Sequence, residues 1–428
     1  MIGVPAEVRD LLRWHPALRA VLLTDFLVRL AELSALVILP WWITSSGGAS
    51  ALAAFGVTLA VATFIAAPAA SPFGDRLCKP RQITWGLVCL CLVAAAQAGL
   101  SFAGVFSLAA LVVLAVLQVL ASAFVDPARD AVLTELMPLA QLPAAIRLRK
   151  TTQAVSGILG PLLAGLAIGA AGVTGSLCVY GGLLALGALT ASRIPRTTVV
   201  AARRNSVPAW WRDLRAGLAA KWLMPMERGW TVVNFAVWIF QGPAVGLLIP
   251  LKVQSLGAQG GWLGICLGAL STGALLGSVF GSQMLVERFG RYRVRVGLGL
   301  AEGLALAAVG LAVSPWPMVL GLVAAGFCNA AMGLVGATHR ALAIPQSYRV
   351  RMFAAGAMTT QIAGAIGPAL VGLALARHDI ARVYTAWGLG MAACVLGLLA
   401  VPRLREFLTL GHDEIVDWYR LQYPAIFR

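Results

Sequence analysis

Three charged residues lie within the first long apolar stretch of this sequence: Asp25, Arg29 and Glu32. Spacings of four and three residues place all three on one face of a helix. A charge at bilayer depth costs roughly 2.5–3.5 kcal/mol, and such residues normally face a water-filled cavity and a partner. One carboxylate could therefore carry a proton while Arg29 holds it. The alternative is a self-neutralising triplet that only tolerates burial.

The composition predicts the helices that position these charges. Hydrophobic residues make up 60% of the chain and charged residues 12%, whereas soluble domains carry roughly 25% charged residues. Continuous apolar runs of about 20 residues, the length that crosses a bilayer as a helix, recur along the chain. Membrane β-barrel strands are shorter and alternate, so they are excluded. We predict an all-α membrane protein with twelve transmembrane helices, at 18–43, 51–73, 82–103, 105–126, 149–169, 173–192, 229–250, 262–286, 294–313, 317–339, 353–376 and 380–402.

The basic residues indicate the orientation. The net charge is +16, and most of the 33 Lys and Arg residues, among them Arg129 and Arg149, fall in loops on one side of the predicted bundle. The opposite side has Lys252, Arg377 and Arg382, while Arg29 lies inside the first helix. Because basic loops stay in the cytoplasm, both termini are expected there, in a bacterial-type inner membrane. The same rule explains the positive charge without a nucleic-acid partner.

Several other classes of function find no support in the sequence. The seven cysteines are scattered without a CxxC pair, which indicates reduced packing residues and no metal site. The four histidines lie near or beyond helix ends, and no Ser–His, HExxH or GxSxG arrangement occurs at depth. A Walker-type glycine loop is also absent from the sequence. We therefore expect neither an enzyme nor a bound cofactor.

A charged loop motif occurs twice, about 210 residues apart. Asp75 and Arg76 follow the second predicted helix, with Lys79 shortly after, and Glu287 and Arg288 follow the eighth. The repeat predicts two six-helix halves in the same orientation.

The halves are assigned to 1–192 and 229–402, joined by a linker at 193–228 and followed by a tail at 403–428. In the linker, aromatic and apolar residues at helical spacing predict a short amphipathic helix at the cytoplasmic headgroups.

A glycine–proline segment of the fifth predicted helix is repeated in the eleventh. Small residues allow a neighbouring helix to approach closely, and proline removes a backbone hydrogen bond and permits a kink. We therefore expect a packing and hinge role in both halves. The positions are Gly157, Gly160, Pro161 and Gly165 in the first copy and Gly364, Gly367, Pro368 and Gly372 in the second.

This pattern resembles the major facilitator superfamily over nearly the whole chain. The 71–81 segment is similar to that family's loop motif GxLaDrxGrkr, although Ser71 and Cys78 replace two glycines. Segments at 124–128 and 213–218, with the glycine–proline segment, resemble the branch of enterobactin-type siderophore exporters and macrolide efflux proteins. The resemblance implies the major facilitator fold and transport of a small molecule.

In that fold the first and seventh helices line a central cavity. The repeat places Asn234, Trp238 and Gln241 of the seventh helix opposite the charged triplet, so one wall would be charged and the other neutral. The resemblance implies a cargo site there, with Asp25 or Glu32 carrying the proton, Trp238 packing on cargo and the amides bonding to it. The alternative for these three is packing between helices.

The resemblance also implies a cytoplasmic gate. Asp75 would lie near the start of the eleventh helix, and Lys79 would link it to Asp126 at the end of the fourth. Arg76, Glu287 and Arg288 complete the set. The alternative is that these charges only fix topology.

Glu302, in the ninth predicted helix, is a further intramembrane acid. That helix is peripheral in the family fold. We interpret Glu302 as a buried structural partner, with cargo contact as the alternative.

We therefore expect a proton-coupled exporter (an antiporter working by alternating access) of a small amphiphilic molecule, either a siderophore-like chelator or a drug-like compound. Its partners would be that substrate, protons and the lipid bilayer, and the proton gradient would drive a monomer without any cofactor. The alternatives are an importer or lipid translocator of the same fold, or a non-transporting sensor.

Overall fold

The computed structural model describes residues 15–70, 78–138, 141–195, 207–411 and 414–427. Within these ranges all regular secondary structure is helical, which confirms the all-α fold class. Ten of the described helical stretches are long and apolar enough to cross a membrane. Fifteen α-helices follow one another along the described chain: α1 Pro16–Ala70, α2 Lys79–Phe102, α3 Leu108–Leu136, α4 Leu142–Ala191, α5 Val207–Leu223, α6 Pro225–Val245, α7 Leu248–Ser255, α8 Gly260–Leu276, α9 Ser282–Phe289, α10 Arg291–Leu311, α11 Pro315–Ala343, α12 Gln346–Leu375, α13 Ile380–Leu396, α14 Leu404–Thr409 and α15 Trp418–Gln422.

Two of these helices are each a pair of crossings joined end to end. α1 has 55 residues and α4 has 50, so they would be roughly 83 and 75 Å long if straight, more than twice the hydrocarbon thickness. Both are broken by a glycine with positive φ, Gly48 (φ 72°) and Gly172 (φ 65°). Only glycine adopts this conformation without strain, so it ends one helix and begins the next. The ten apolar stretches therefore make twelve crossings.

The observed helices extend beyond two predicted bounds. The fourth crossing was predicted to end at 126 and the fifth to begin at 149, but α3 continues to Leu136 and α4 already begins at Leu142. The charges of this region were interpreted as loop residues. Arg129 and Arg149 instead lie on helices, where both are bonded to the buried carboxylate of Asp25.

The described chain forms two compact units. The first contains the chain up to Ser46 together with Ile65–Val207, and the second contains Gly47–Phe64 and the chain from Pro208 onward. The predicted halves assigned 47–64 to the first half instead. The segment belongs to the second unit because its small residues pack there: a methyl group on Gly56 would contact Leu247 and Pro368.

The repeated glycine–proline segments pack through the second glycine of each copy. A Cβ added at Gly160 would lie 2.7 Å from Leu33 Cβ, and one at Gly367 would lie 2.6 Å from the carbonyl oxygen of Ile239. The first glycines differ, since no heavy atom of the described residues lies within 4 Å of a Cβ placed at Gly157 or Gly364. Close helix contact thus depends on Gly160 in the first copy and on Gly367 in the second, where a Cβ at Gly372 would also lie only 3.0 Å from Ala53 Cβ.

We therefore predict that Gly160→Ala and Gly367→Ala each destabilise the protein by about 1–3 kcal/mol, because backbone must move to admit the methyl group. Gly157→Ala and Gly364→Ala serve as matched controls and should unfold like the wild type. Thermal unfolding of the purified protein, followed by tryptophan fluorescence, measures the difference. Equal melting temperatures for all four variants would contradict the assignment.

The linker helix α5 packs on α12 in the second unit. Leu214 is buried against Ala355 and Met358, and a Cβ at Gly217 would lie 2.2 Å from the carbonyl oxygen of Arg351. On another side of α5, Trp222 is 61% exposed. A helix thus exists where the sequence predicts an amphipathic one, and it places an aromatic side chain outward, as helices at headgroups do.

The C-terminal segment is held by a buried charge network. Glu227, at the start of α6, is fully buried and accepts two hydrogen bonds from Arg340, at 2.9 and 2.7 Å. Lys221 Nζ donates to the same carboxylate at 3.2 Å, and so does the Tyr419 hydroxyl. Phe407 and Tyr419 stack with ring centroids 5.7 Å apart, so the tail is packed onto the second unit.

Lys221 makes the stability of this network depend on pH. Burial, and to a smaller extent Arg340, lowers the pKa of Lys221 to about 8, although Glu227 opposes the shift. The unfolded chain keeps this proton up to a pH of about 10. Since the unfolded state then binds more protons, the free energy of unfolding rises between pH 8 and about 10.

We predict that this rise, on the order of 1–3 kcal/mol, is lost in Lys221→Met. Melting temperatures measured across the window would show a shallower pH slope for that variant. Lys150→Met, at an exposed position, should keep the wild-type slope. If Lys221→Met also kept it, Lys221 would not be the titrating group.

Candidate functional site

A cluster of charges in the first unit is organised around Arg129. This residue is 6% exposed, and it comes from α3 one turn after Asp126. Its Nε donates to Asp25 Oδ1 at 3.0 Å, and its Nη1 donates to Glu32 Oε1 at 2.7 Å and to Asp126 Oδ1 at 3.2 Å. One guanidinium therefore holds three carboxylates.

Two more arginines complete this cluster. Arg149 of α4 donates from Nε to Asp25 Oδ2 and from Nη2 to Asp130 Oδ1, the latter at 2.9 Å. Arg29 Nη1 donates to Glu32 Oε2 at 3.1 Å. Asp25 thus has an arginine on each oxygen, which compensates a charge that is almost fully buried.

Exposure separates the two carboxylates of α1. Asp25 is 2% exposed, whereas the side chains of Glu32 and Arg29 are 23% and 48% exposed. Water can therefore reach Glu32 and Arg29, whereas Asp25 is buried against Arg129 and Arg149. Of the two acids of α1, Glu32 is the one open to a proton or a polar ligand.

The sequence predicted half of this arrangement. It placed Asp25, Arg29 and Glu32 on one helical face, with Arg29 able to pair with either acid. Among the described residues, Arg29 pairs with Glu32. The two cations bonded to Asp25 come from α3 and α4. Arg129 and Arg149 had been interpreted as cytoplasmic loop charges. One available signal was the spacing of three between Asp126 and Arg129, which suits a continuing helix.

The predicted gate is only partly described. Asp75 and Arg76 lie outside the described residues, and α2 begins at Lys79. Asp126 is bonded to Arg129 within its own helix. In the second copy, Glu287 accepts a hydrogen bond from Gln283 at 2.9 Å.

Arg288, the last member of the predicted gate, lies over the ring of Phe289 with its Cζ 5.4 Å from the centroid. The gate as a whole stays a prediction.

A second cluster joins α6, α10 and α11 in the second unit. Gln241 Nε2 lies 2.5 Å from Glu302 Oε1, and Asn329 Nδ2 lies 3.1 Å from the same oxygen. Asn234 Oδ1 accepts from Arg295 Nη2 at 3.0 Å. The seventh crossing was expected to supply an uncharged counterpart of the triplet. Its two amides are instead bonded to a buried acid and a buried arginine of the ninth crossing.

Trp238 lies between those amides on α6 but is 39% exposed. Its one-turn spacing from Asn234 and Gln241 gives α6 a polar face with one accessible aromatic ring. Among the described residues, no group of three or more His, Cys, Asp or Glu is arranged to hold a metal ion.

The crossings define a multi-pass helical membrane protein. A family model described as Major Facilitator Superfamily matches residues 21–283, more than half of the chain. The chain belongs to the major facilitator superfamily. No curated protein matches it.

Solved transporters share the fold at low sequence identity. A peptide transporter, POT, in complex with alafosfalin is 14% identical, with a TM-score of 0.70 over 92% of this chain and 96% of that one. The nucleoside transporter NupG is 14% identical, with a TM-score of 0.72 over 90% and 100%. A bacterial homologue of the human lysosomal transporter Spinster is 16% identical, with a TM-score of 0.64 over 96% and 98%. These similarities show the fold.

We predict that Arg129→Gln destabilises the protein by about 1–3 kcal/mol, because it removes one of the two cations that compensate the buried Asp25. The exposed Arg147 lies on α4, and Arg147→Gln should be neutral. Thermal unfolding of both variants in the same lipid measures the effect. An Arg129→Gln protein as stable as Arg147→Gln would mean that the shared guanidinium does not hold the first unit together.

Proposed function

We propose that this protein is a proton-coupled secondary transporter that exports a small amphiphilic molecule by alternating access. The cargo would be a siderophore-like metal chelator or a drug-like compound. The observation that carries the proposal is the partly exposed pair of Glu32 and Arg29, set on the buried Arg129 and Asp25. Water reaches the Glu32 carboxylate, and the arginines bonded to this carboxylate respond to its charge.

The coupling follows from the shared arginines. While Glu32 is ionised, it accepts hydrogen bonds from Arg129 and Arg29. A proton on Glu32 removes one negative charge, so both bonds lose their charge assistance. Arg29 is then free to bind an acidic group of a cargo. Proton and cargo thus change the same network, which antiport requires.

We infer the cargo class from Arg29, Glu32 and Trp238, which the family resemblance implies as cavity residues. Arg29 can bind a carboxylate, phenolate or hydroxamate of a chelator, and Glu32 can bind a cationic amine. Trp238 offers a ring for an apolar or aromatic part of the molecule. Export, as the direction, is supported by the resemblance of segments 124–128 and 213–218 to siderophore and macrolide exporters.

The remaining properties complete the proposal. The protein would work as a monomer in the inner membrane with both termini in the cytoplasm, since most Lys and Arg residues lie on that side. The proton gradient would supply the energy without a bound cofactor.

The test uses inverted membrane vesicles that contain the full-length protein and are acidified by respiration. A pH-sensitive dye reports proton efflux when a catecholate chelator such as enterobactin, or a macrolide, is added. We expect the wild type to release protons and Glu32→Gln to lose the response completely. Glu135→Gln, at an exposed position of α3, is the matched control and should respond like the wild type.

A full response from Glu32→Gln would remove Glu32 from the coupling. Uptake of the same compounds into right-side-out vesicles, dependent on an inward proton gradient, would establish an importer instead.

A further inference from the structure

Glu302 is an acid that the transport mechanism above does not use. It is fully buried in α10, and its partners are the side-chain amides of Gln241 and Asn329. Both amides contact Oε1. Among the described residues, the other oxygen, Oε2, has no hydrogen-bond partner. A buried carboxylate oxygen left in this way carries a high desolvation cost when the group is charged.

The charged and titratable neighbours do not neutralise this acid by direct bonding. Arg295, on the same helix, donates from Nη1 to the carbonyl oxygen of Met332 and from Nη2 to Asn234. Arg295 therefore acts on Glu302 through its charge and not through a hydrogen bond. Among the described residues, Cys328 of α11 is a further titratable group near Glu302. Next to Glu302 in the chain, Gly303 packs against uncharged residues of α13.

Glu302 thus differs from the acids of the first unit. Asp25 is almost fully buried and has an arginine on each oxygen, so losing its charge would weaken both of these charge-assisted bonds. Glu302 has only neutral amides in contact. Each amide offers both donors and an acceptor, so after turning it can accept from a carboxylic acid as well as donate to a carboxylate. The surroundings of Glu302 accommodate both protonation states with small rearrangement.

We propose that Glu302 is a proton-binding site of the second unit, in addition to Glu32 in the first. Gln241 and Asn329 are its positioning residues, and both hold the carboxyl group through Oε1. This inference rests on the proposed function in one respect only, namely that the proton taken up at Glu302 contributes to the transport cycle. Binding of the proton is a property of the folded protein by itself.

Infrared difference spectroscopy tests the site without a cargo. Full-length protein in lipid nanodiscs is titrated from alkaline to acidic pH, in H₂O and in D₂O. A protonated buried carboxyl group gives a carbonyl-stretch band that shifts in D₂O. We expect such a band in the wild type, its loss in Glu302→Gln, and its retention in Glu135→Gln. Glu302→Asp should restore a band at a shifted position.

A second variant keeps the test decisive if Glu302→Gln folds poorly. Asn329→Leu removes one hydrogen bond from the carboxyl group, so it should move the band to higher frequency without abolishing it. A band unaffected by both Glu302→Gln and Asn329→Leu would overturn the proposal. Loss of the band in Glu302→Gln alongside a silent dye assay would keep the proton site and reject the proposed cargo.

Discussion

The first unit depends on one buried guanidinium that is shared by three carboxylates from two helices. Arg129 bonds to Asp25 and Glu32 of α1 and to Asp126 of its own helix. In a medium without water, none of these charges could be buried alone, because each would cost several kcal/mol. The cluster therefore fixes how α1, α3 and α4 meet, and of the two acids that α1 contributes it leaves Glu32 partly exposed while Asp25 is buried.

The second unit meets the same constraint with different chemistry. Glu227 is compensated by Arg340 and Lys221 and by the Tyr419 hydroxyl, and this set anchors the C-terminal segment. Glu302 is contacted by amides alone. A fully compensated acid gains rigidity but cannot easily change its charge, whereas an acid held by amides can. The unit thus contains one acid compensated by cations and one contacted by amides alone.

The sequence predicted the helices well because hydrophobic length and glycine–proline spacing are local signals. The prediction was wrong where charged residues were interpreted as marking the end of a helix. Arg129 and Arg149 lie 104 and 124 positions from Asp25, and no local pattern reveals a partner so distant. Likewise, the polar character of Asn234 and Gln241 was readable from the repeat, but their bonds to Arg295 and Glu302 depend on tertiary packing.

The two kinds of buried acid suggest how a major facilitator protein can combine stability with response. A buried, ion-paired acid such as Asp25 ties helices together at every stage of a cycle, because two arginines from other helices compensate its charge. An acid that is partly exposed, such as Glu32, or has no cation in contact, such as Glu302, changes charge with fewer consequences for the fold. In the proposed mechanism the first kind preserves each unit, while the second kind links the state of the unit to the proton.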